Sequence, residues 1–423
     1  MGALLSRYHQ LPTSPAAVVA WFESEMRSDL LISSTLADMR LSGPSQTRGL
    51  TGWLGWTVVT SLYSLFGARC LLLLVTTLLG IQDDWLSFLM GDTVSSLGTA
   101  VRQTWYSLGV NYTIAFVAVR LLVKRGEMDR SLCFISDFAD IDAWISQQKE
   151  ADLTTWRKRV KLFVLGYHYF NGVIYATVDS VILIGLVSAT MQRQSWSYFV
   201  SDLLWSGYNV FWIRYTPPLL MQLFFFVWLA SDCSVRLIRD ADRAASRILT
   251  QESKERTSIA VCQFLSTLDA ASRRVHRYNV SMKHVFAIFS HLFIPIAASD
   301  CFFLLTTADS LQGVFMQAIV IVLCVNQFAV ITLFLSLAAD ARNATRPLAK
   351  RLASLLARDA LSPRLTVRQK RLLLASLKRV TSMTQPIGFT DGSRGPFESR
   401  SMVDFVIEVA LQLILFLQIM GSN

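Results

Sequence analysis

Seven stretches of this chain stay apolar for the roughly 20 residues that an α-helix needs to cross a hydrocarbon core. They lie at about 52–78, 104–123, 162–187, 203–230, 284–307, 314–337 and 403–420. The fourth is the least regular. It carries Arg214 and the pair Pro217–Pro218, and Leu219–Ala230 alone is too short to span. One long helix kinked at the prolines is expected there, because proline removes a backbone donor and clashes with the turn before it. The pattern predicts an all-α membrane protein with seven transmembrane helices.

The polar segments between these stretches are patterned too. In RVHRYNVSMKHVF and VRQKRLLLASLKRVTSM, apolar and basic residues recur at helical spacing. Val367, Leu372, Leu373, Leu377, Val380 and Met383 predict one apolar stripe. These helices are expected to project below the membrane and pack together, the alternative being a basic amphipathic helix lying on lipid. Composition agrees with a polytopic protein: 52% of the 423 residues are hydrophobic and 17% charged, against about 25% charged in soluble domains.

The net charge of +10 is explained by where the charges sit. Of 40 Lys and Arg, 35 fall in the N-terminal tail and in segments 124–161, 231–283 and 338–402. The alternate loops hold Arg102, Arg193 and no others. The positive-inside rule makes the basic side cytoplasmic. The N-terminus is then cytoplasmic and the C-terminus extracellular, as expected of a multi-pass plasma-membrane protein. The surplus calls for the lipid bilayer as partner and for no nucleic acid. Residues 1–20 hold Arg7, His9 and two prolines but no apolar core of a signal peptide, so a retained N-terminus is expected.

Little else suggests chemistry. Cys70, Cys133, Cys233, Cys262, Cys301 and Cys324 form no C-x-x-C pair and are expected to be reduced packing residues. No H-E-x-x-H, G-x-S-x-G or Walker pattern occurs, and the five histidines lack metal-ligand spacing. Neither an enzyme nor a cofactor is expected. The sequons at Asn111, Asn279 and Asn343 fall in a span or on the cytoplasmic side and are expected to be unused.

The last apolar stretch is unusual. At about 100° per residue, Asp404, Glu408, Leu411, Gln412, Leu415, Gln418 and Ile419 share a sector of about 120°. Val403, Phe405, Ile407, Val409, Leu413, Ile414 and Phe416 lie outside it. A carboxylate at the bilayer centre costs about 2.5–3.5 kcal/mol on the insertion scale, but less where it faces water. Several copies around an axis could enclose such water. Asp404 and Glu408 would then ring the inner mouth, Leu415 would form a dry constriction, and Gln418 would ring the outer end. Alternatively, Glu408 and Gln412 bond to another helix of the same subunit. The residues alone leave both readings open.

The segment PIGFTDGSRGPFESRSMVDFVIEVALQLILFLQ resembles the C-terminus of arthropod gustatory receptors, in the insect chemoreceptor superfamily. The family signature is Thr-Tyr, five apolar residues, then Gln-Phe. Here the matching positions are Leu411, Gln412, the run 413–417, Gln418 and Ile419, of which Gln418 and the run are kept. Length, helix number, inverted topology and the basic loop before the last helix also resemble that family. The resemblance is to a divergent member. It implies a chemosensory, ligand-gated, non-selective cation channel built as a homo- or heterotetramer of identical or related subunits. Subunits would meet through cytoplasmic parts of helices four to six and a helix at roughly 366–384. Gate positions would be Leu415, Gln418 and Ile419.

The resemblance also implies a small-molecule tastant pocket among helices two to six, open outward. Candidate lining residues are Trp105, Tyr106, Tyr112, Tyr175, Asp179, Tyr208, Trp212, Asp300, Phe303 and Gln317. Each aromatic also serves packing or the interfacial belt. Asp179 and Asp300 stand apart as intramembrane carboxylates, with Arg214 and Arg69 as candidate structural partners. The expected organisation is a cytoplasmic segment 1–51, a six-helix bundle 52–337, a cytoplasmic anchor 338–402, a pore helix 403–420 and an extracellular tail 421–423. A secondary transporter is the rival class, but only the Pro217–Pro218 break fits it and no repeat is visible.

Overall fold

A computed structural model of the chain describes residues 50–81, 84–92, 99–129, 200–201, 203–205, 227–228, 230–248, 250–251, 253–306, 311–361, 365–382, 387–390 and 396–421. Among the described residues the regular structure is helical throughout, with no strand. The named helices are α1 (Leu50–Leu78), α2 (Asp84–Leu89), α3 (Thr99–Asp129), α4 (Lys254–Thr306), α5 (Leu311–Leu361), α6 (Val367–Thr381) and α7 (Ser401–Gly421). Residues 230–248 are helical as well.

Three of the described helices hold a stretch long and apolar enough to cross a membrane: Thr60–Leu78 in α1, a stretch of α5 beginning at Val320, and Ser401–Gln418 in α7. The protein is therefore helical with membrane-grade segments. The expected span 104–123 is also continuous helix, as is the expected span 284–307 as far as Thr306; the apolar part of the second is His291–Leu305. The expected span 162–187 and most of 203–230 lie outside the described residues.

Helices α4 and α5 have 53 and 51 residues. At 1.5 Å per residue each is nearly 80 Å long, far more than a hydrocarbon core of about 30 Å accepts. The expected boundary at 337–338 falls within α5.

The chain divides into two compact units. The first comprises Met1–Gln222, Leu292–Phe328 and Val409–Asn423; the second comprises Leu223–His291 and Ala329–Glu408. In the first, α1 and α3 pack closely because small residues face each other's neighbours. A Cβ on Gly67 would lie 2.5 Å from Thr113 Cγ2, and one on Gly109 would lie 2.6 Å from Cys70 Sγ. Small residues allow such backbone approach between helices where lipid offers no hydrophobic contrast. Tyr63 stacks on Phe116 at 3.5 Å between centroids.

A polar knot closes the α1–α2–α3 end of this unit. Gly91, at φ +56°, follows α2 in the left-handed region, where a side chain is strained and would also strike Trp205. The carbonyls at the end of α2 and just beyond it are taken up in turn. Ser201 Oγ donates to Phe88 O, Trp205 Nε1 to Leu89 O at 2.9 Å, Arg69 Nε to Met90 O at 2.6 Å and Arg69 Nη2 to Gly91 O at 2.7 Å. Arg69 also lies 4.6 Å from the Trp205 ring centroid. Asp92, fully buried, accepts from Arg102 Nη2 at 2.7 Å and from the Tyr106 hydroxyl. Arg69 therefore does not pair with Asp300, as the sequence allowed, and Asp179 lies outside the described residues. Among the described residues the hydrogen-bond acceptors of Arg69 are backbone carbonyls, and Arg102 is the residue that meets a carboxylate.

The second unit is held by ion pairs between helices and one aromatic cluster. Arg351 grips Asp242 through two bonds of 2.7 and 3.1 Å. Phe286 lies within 4.8, 5.4 and 5.1 Å of the Phe334, Phe389 and Phe397 ring centroids. Helix α6 starts with a capping box, Gln369 N to Thr366 Oγ1 and Thr366 N to Gln369 Oε1. Its buried residues are Leu373, Ser376 and Val380. The expected stripe is thus narrower than the sequence predicts. Val367 and Leu372 are exposed, because the buried face follows i, i+3, i+7 from Leu373 and basic residues fill the rest. Met383 lies outside the described residues.

Candidate functional site

The terminal helix is the first candidate. Its 21 residues form one helix, yet only 11% of the span Ser401–Gln418 is buried. The buried line runs through Phe405 and Val409, with Glu408, Gln412, Leu413 and Phe416 half-buried beside it. Phe416 faces Phe302 of the first unit at 6.2 Å between centroids.

The other side of the helix is bare. Leu411 and Leu415 are 60% and 52% exposed, and Gln418 is exposed with them. Val403, Ile407 and Ile414 are exposed too. The apolar set that the sequence placed opposite the polar sector is therefore divided. Phe405, Val409 and Phe416 turn inward, whereas Val403, Ile407 and Ile414 do not, because a single line of contacts covers only part of a helix. Asp404 is paired with Arg400 one turn earlier, at 3.4 Å. The side chain of Ile419 lies outside the described residues.

The helix begins from a fixed joint in the second unit. Arg342, 7% exposed, donates from Nη1 to Val380 O at 2.8 Å and from Nη2 to Thr381 O at 3.4 Å. It thereby satisfies orphan carbonyls at the end of α6, where a cation also complements the helix dipole. Its Nε is 3.4 Å from Glu398 Oε1, and Arg346 Nη2 is 3.4 Å from the other carboxylate oxygen. Glu398 N donates to Ser401 Oγ at 3.0 Å, at the start of α7. Nearby, Asn343 Nδ2 donates to Ser399 Oγ at 3.2 Å and Thr390 N donates to Asn279 Oδ1 at 2.8 Å. Sequence patterning gave no sign of this joint.

The second candidate lies in the first unit, on α3, α4 and α5. Trp105 packs on Phe303 at 5.6 Å, and Phe303 on Val320. Gln317 Nε2 donates to Leu304 O at 3.1 Å. Tyr112 is buried with Leu108, Ala115 and Ile296, within electrostatic reach of Asp300. Asp300 is fully buried. Its carboxylate faces Gln327 without closing a hydrogen bond of normal geometry, and both polar atoms of Gln327 are likewise unsatisfied. Buried groups of this kind are costly unless a partner arrives. Of the expected lining residues, Trp105, Tyr112, Asp300, Phe303 and Gln317 come from helices that pack together. Tyr106 instead serves Asp92. Tyr175, Asp179, Tyr208 and Trp212 lie outside the described residues, as does Arg214.

No cluster of three or more His, Cys, Asp or Glu suited to a metal occurs among the described residues. In the second unit, burial and the nearby Asp232 carboxylate push the Cys233 thiol up to about 12, so it stays protonated and unreactive at neutral pH. No protein-family model and no curated protein matches the chain.

Proposed function

We propose that this protein is a subunit of a ligand-gated, non-selective cation channel of the gustatory-receptor kind, with α7 of several copies around one aqueous path. One observation carries the reading. A membrane-grade helix leaves Leu411, Leu415 and Gln418 uncovered on one side while Phe405 and Val409 are covered on another. Lipid alone explains exposed leucines but gives Gln418 no reason to share their side. Copies around an axis explain both, with Leu415 as the dry constriction and Gln418 in the wet outer mouth. Asp404 and Glu408 supply negative charge on the other side of that constriction, which favours cations.

In this reading the ligand is a small molecule taken up among α3, α4 and α5. Trp105, Tyr112 and Phe303 provide apolar walls, and Asp300 is the group that selects a polar partner. The location is the plasma membrane, with the N-terminus cytoplasmic and the C-terminus extracellular.

The test is a subunit count together with a current. The full chain, reconstituted in nanodiscs, should give particles of about four copies by mass photometry. The same preparation in planar bilayers should give discrete cation currents. A monomer that carries no current under any ligand tried would end this proposal.

A further inference from the structure

Two of the six cysteines fall opposite each other on one helix pair. Cys301 on α4 and Cys324 on α5 are both free thiols of the first unit, and the register of the two helices sets them at the same level. That level is fixed from both sides along the helix pair. Toward the α4–α5 turn, Phe303 packs on Val320 and Gln317 bonds to Leu304 O. On the other side, Asp300 faces Gln327. The antiparallel register of α4 and α5 therefore repeats turn by turn and returns the two cysteines to the same level. Cys301 is half-buried, whereas Cys324 is 8% exposed.

We propose that Cys301 and Cys324 are a redox-sensitive pair that closes to a disulfide when a hydroperoxide arrives. Cys301, the more accessible sulfur, attacks the peroxide. An S–O bond forms, the O–O bond breaks, and one water or alcohol leaves with the thiol proton. The product is a sulfenic acid. Cys324 then attacks that sulfur. The S–S bond forms, the S–O bond breaks, and a second water leaves with the Cys324 proton. Two electrons pass from the sulfurs to the peroxide. A small thiol reverses the step by exchange through a mixed disulfide. The bond would join α4 to α5, so these helices could no longer slide or rotate against each other. This inference is independent of the channel reading.

The experiment uses the full chain in nanodiscs, treated with hydrogen peroxide, alkylated, digested and read by mass spectrometry. The expected result is a Cys301–Cys324 linked peptide, with two of the six cysteines lost from the free-thiol count and both restored by dithiothreitol. Cys301→Ser should abolish the link. With Cys324→Ser, Cys301 should instead be trapped as its sulfenic acid by dimedone. No linked peptide in the wild-type chain, or Cys262 oxidised while Cys301 and Cys324 remain free, overturns the proposal. Because the primary readout is on the wild-type chain, a variant that fails to fold does not weaken it.

Discussion

Leu415 and Gln418 differ by three residues and share the bare side of α7, but the channel reading asks different work of them. Leu415→Ser should wet the constriction and give current without ligand, because an apolar ring gates by excluding water. Gln418→Ala should alter conductance or selectivity more than gating. Glu408→Gln should lower the preference for cations, since a focusing charge is lost. Phe416 faces Phe302, so Phe416→Leu should cost stability of about 1 kcal/mol, as a half-buried ring gives up part of its contact, and leave permeation alone. Patch-clamp recording of the four variants checks the pattern. Altered permeation in Phe416→Leu with none in Leu415→Ser or Gln418→Ala would mean that α7 faces another way. Asp300→Asn adds a separate check: a weaker ligand response at normal surface expression supports ligand contact, and loss of the protein from the membrane assigns Asp300 to folding. Asp300 was legible because a carboxylate in an apolar run is conspicuous. The role of Arg69 was not, because its hydrogen-bond partners are carbonyls, which every residue carries.

Helix α6 shows what periodicity can and cannot tell. Its existence was marked by apolar and basic residues at helical spacing, whereas the capping box of Thr366 and Gln369 at its start emerged with the structure. Which apolar residues face inward was not marked, because Leu372, Leu373 and Leu374 are adjacent and only the packing partner chooses among them. The structure chooses Leu373. Leu373→Ala should therefore destabilise by about 2–5 kcal/mol and Thr366→Ala by about 1 kcal/mol, while Leu374→Ala should have little effect. Arg342 was equally hidden, as one of many basic residues in its segment. It reaches Val380, Thr381 and Glu398 through the fold, and Arg342→Ala should cost about 2–3 kcal/mol by leaving two carbonyls without their donor and Glu398 with Arg346 alone. Thermal unfolding in detergent measures all four. The exposed side of α6, with Val367, Leu374 and neighbouring basic residues, is the natural subunit contact in the channel reading. Val367→Asp with Leu374→Asp should then lower the copy number while leaving the unfolding temperature unchanged. Persistent oligomers would move the junction elsewhere.

At the scale of the molecule the strongest sequence signal was charge, not motif. A helix that crosses lipid buries its backbone polar groups in its own hydrogen bonds, so orientation is decided by which loops carry cations. With 35 of 40 Lys and Arg on one side of the expected seven-span alternation, an N-terminus outside would place nearly all of them on the translocated side. The basic residues of α4 and α5 gather away from their apolar halves, at Arg273, Arg274 and Arg277 and at Arg342, Arg346, Lys350 and Arg351. In the second unit, Arg351, Arg379 and Lys370 pair with Asp242, Asp269 and Asp359, and such charged surfaces belong in water. The C-terminus, by contrast, follows an uncharged run from Val409 to Asn423 that crosses easily. Epitope tags at both ends, stained on intact and on permeabilised cells, should therefore show the C-terminal tag on intact cells and the N-terminal tag only after permeabilisation. An N-terminal tag that stains on intact cells would invert the molecule. The carboxylates of α7 would then face the outer mouth, and Gln418 would line the cytoplasmic one.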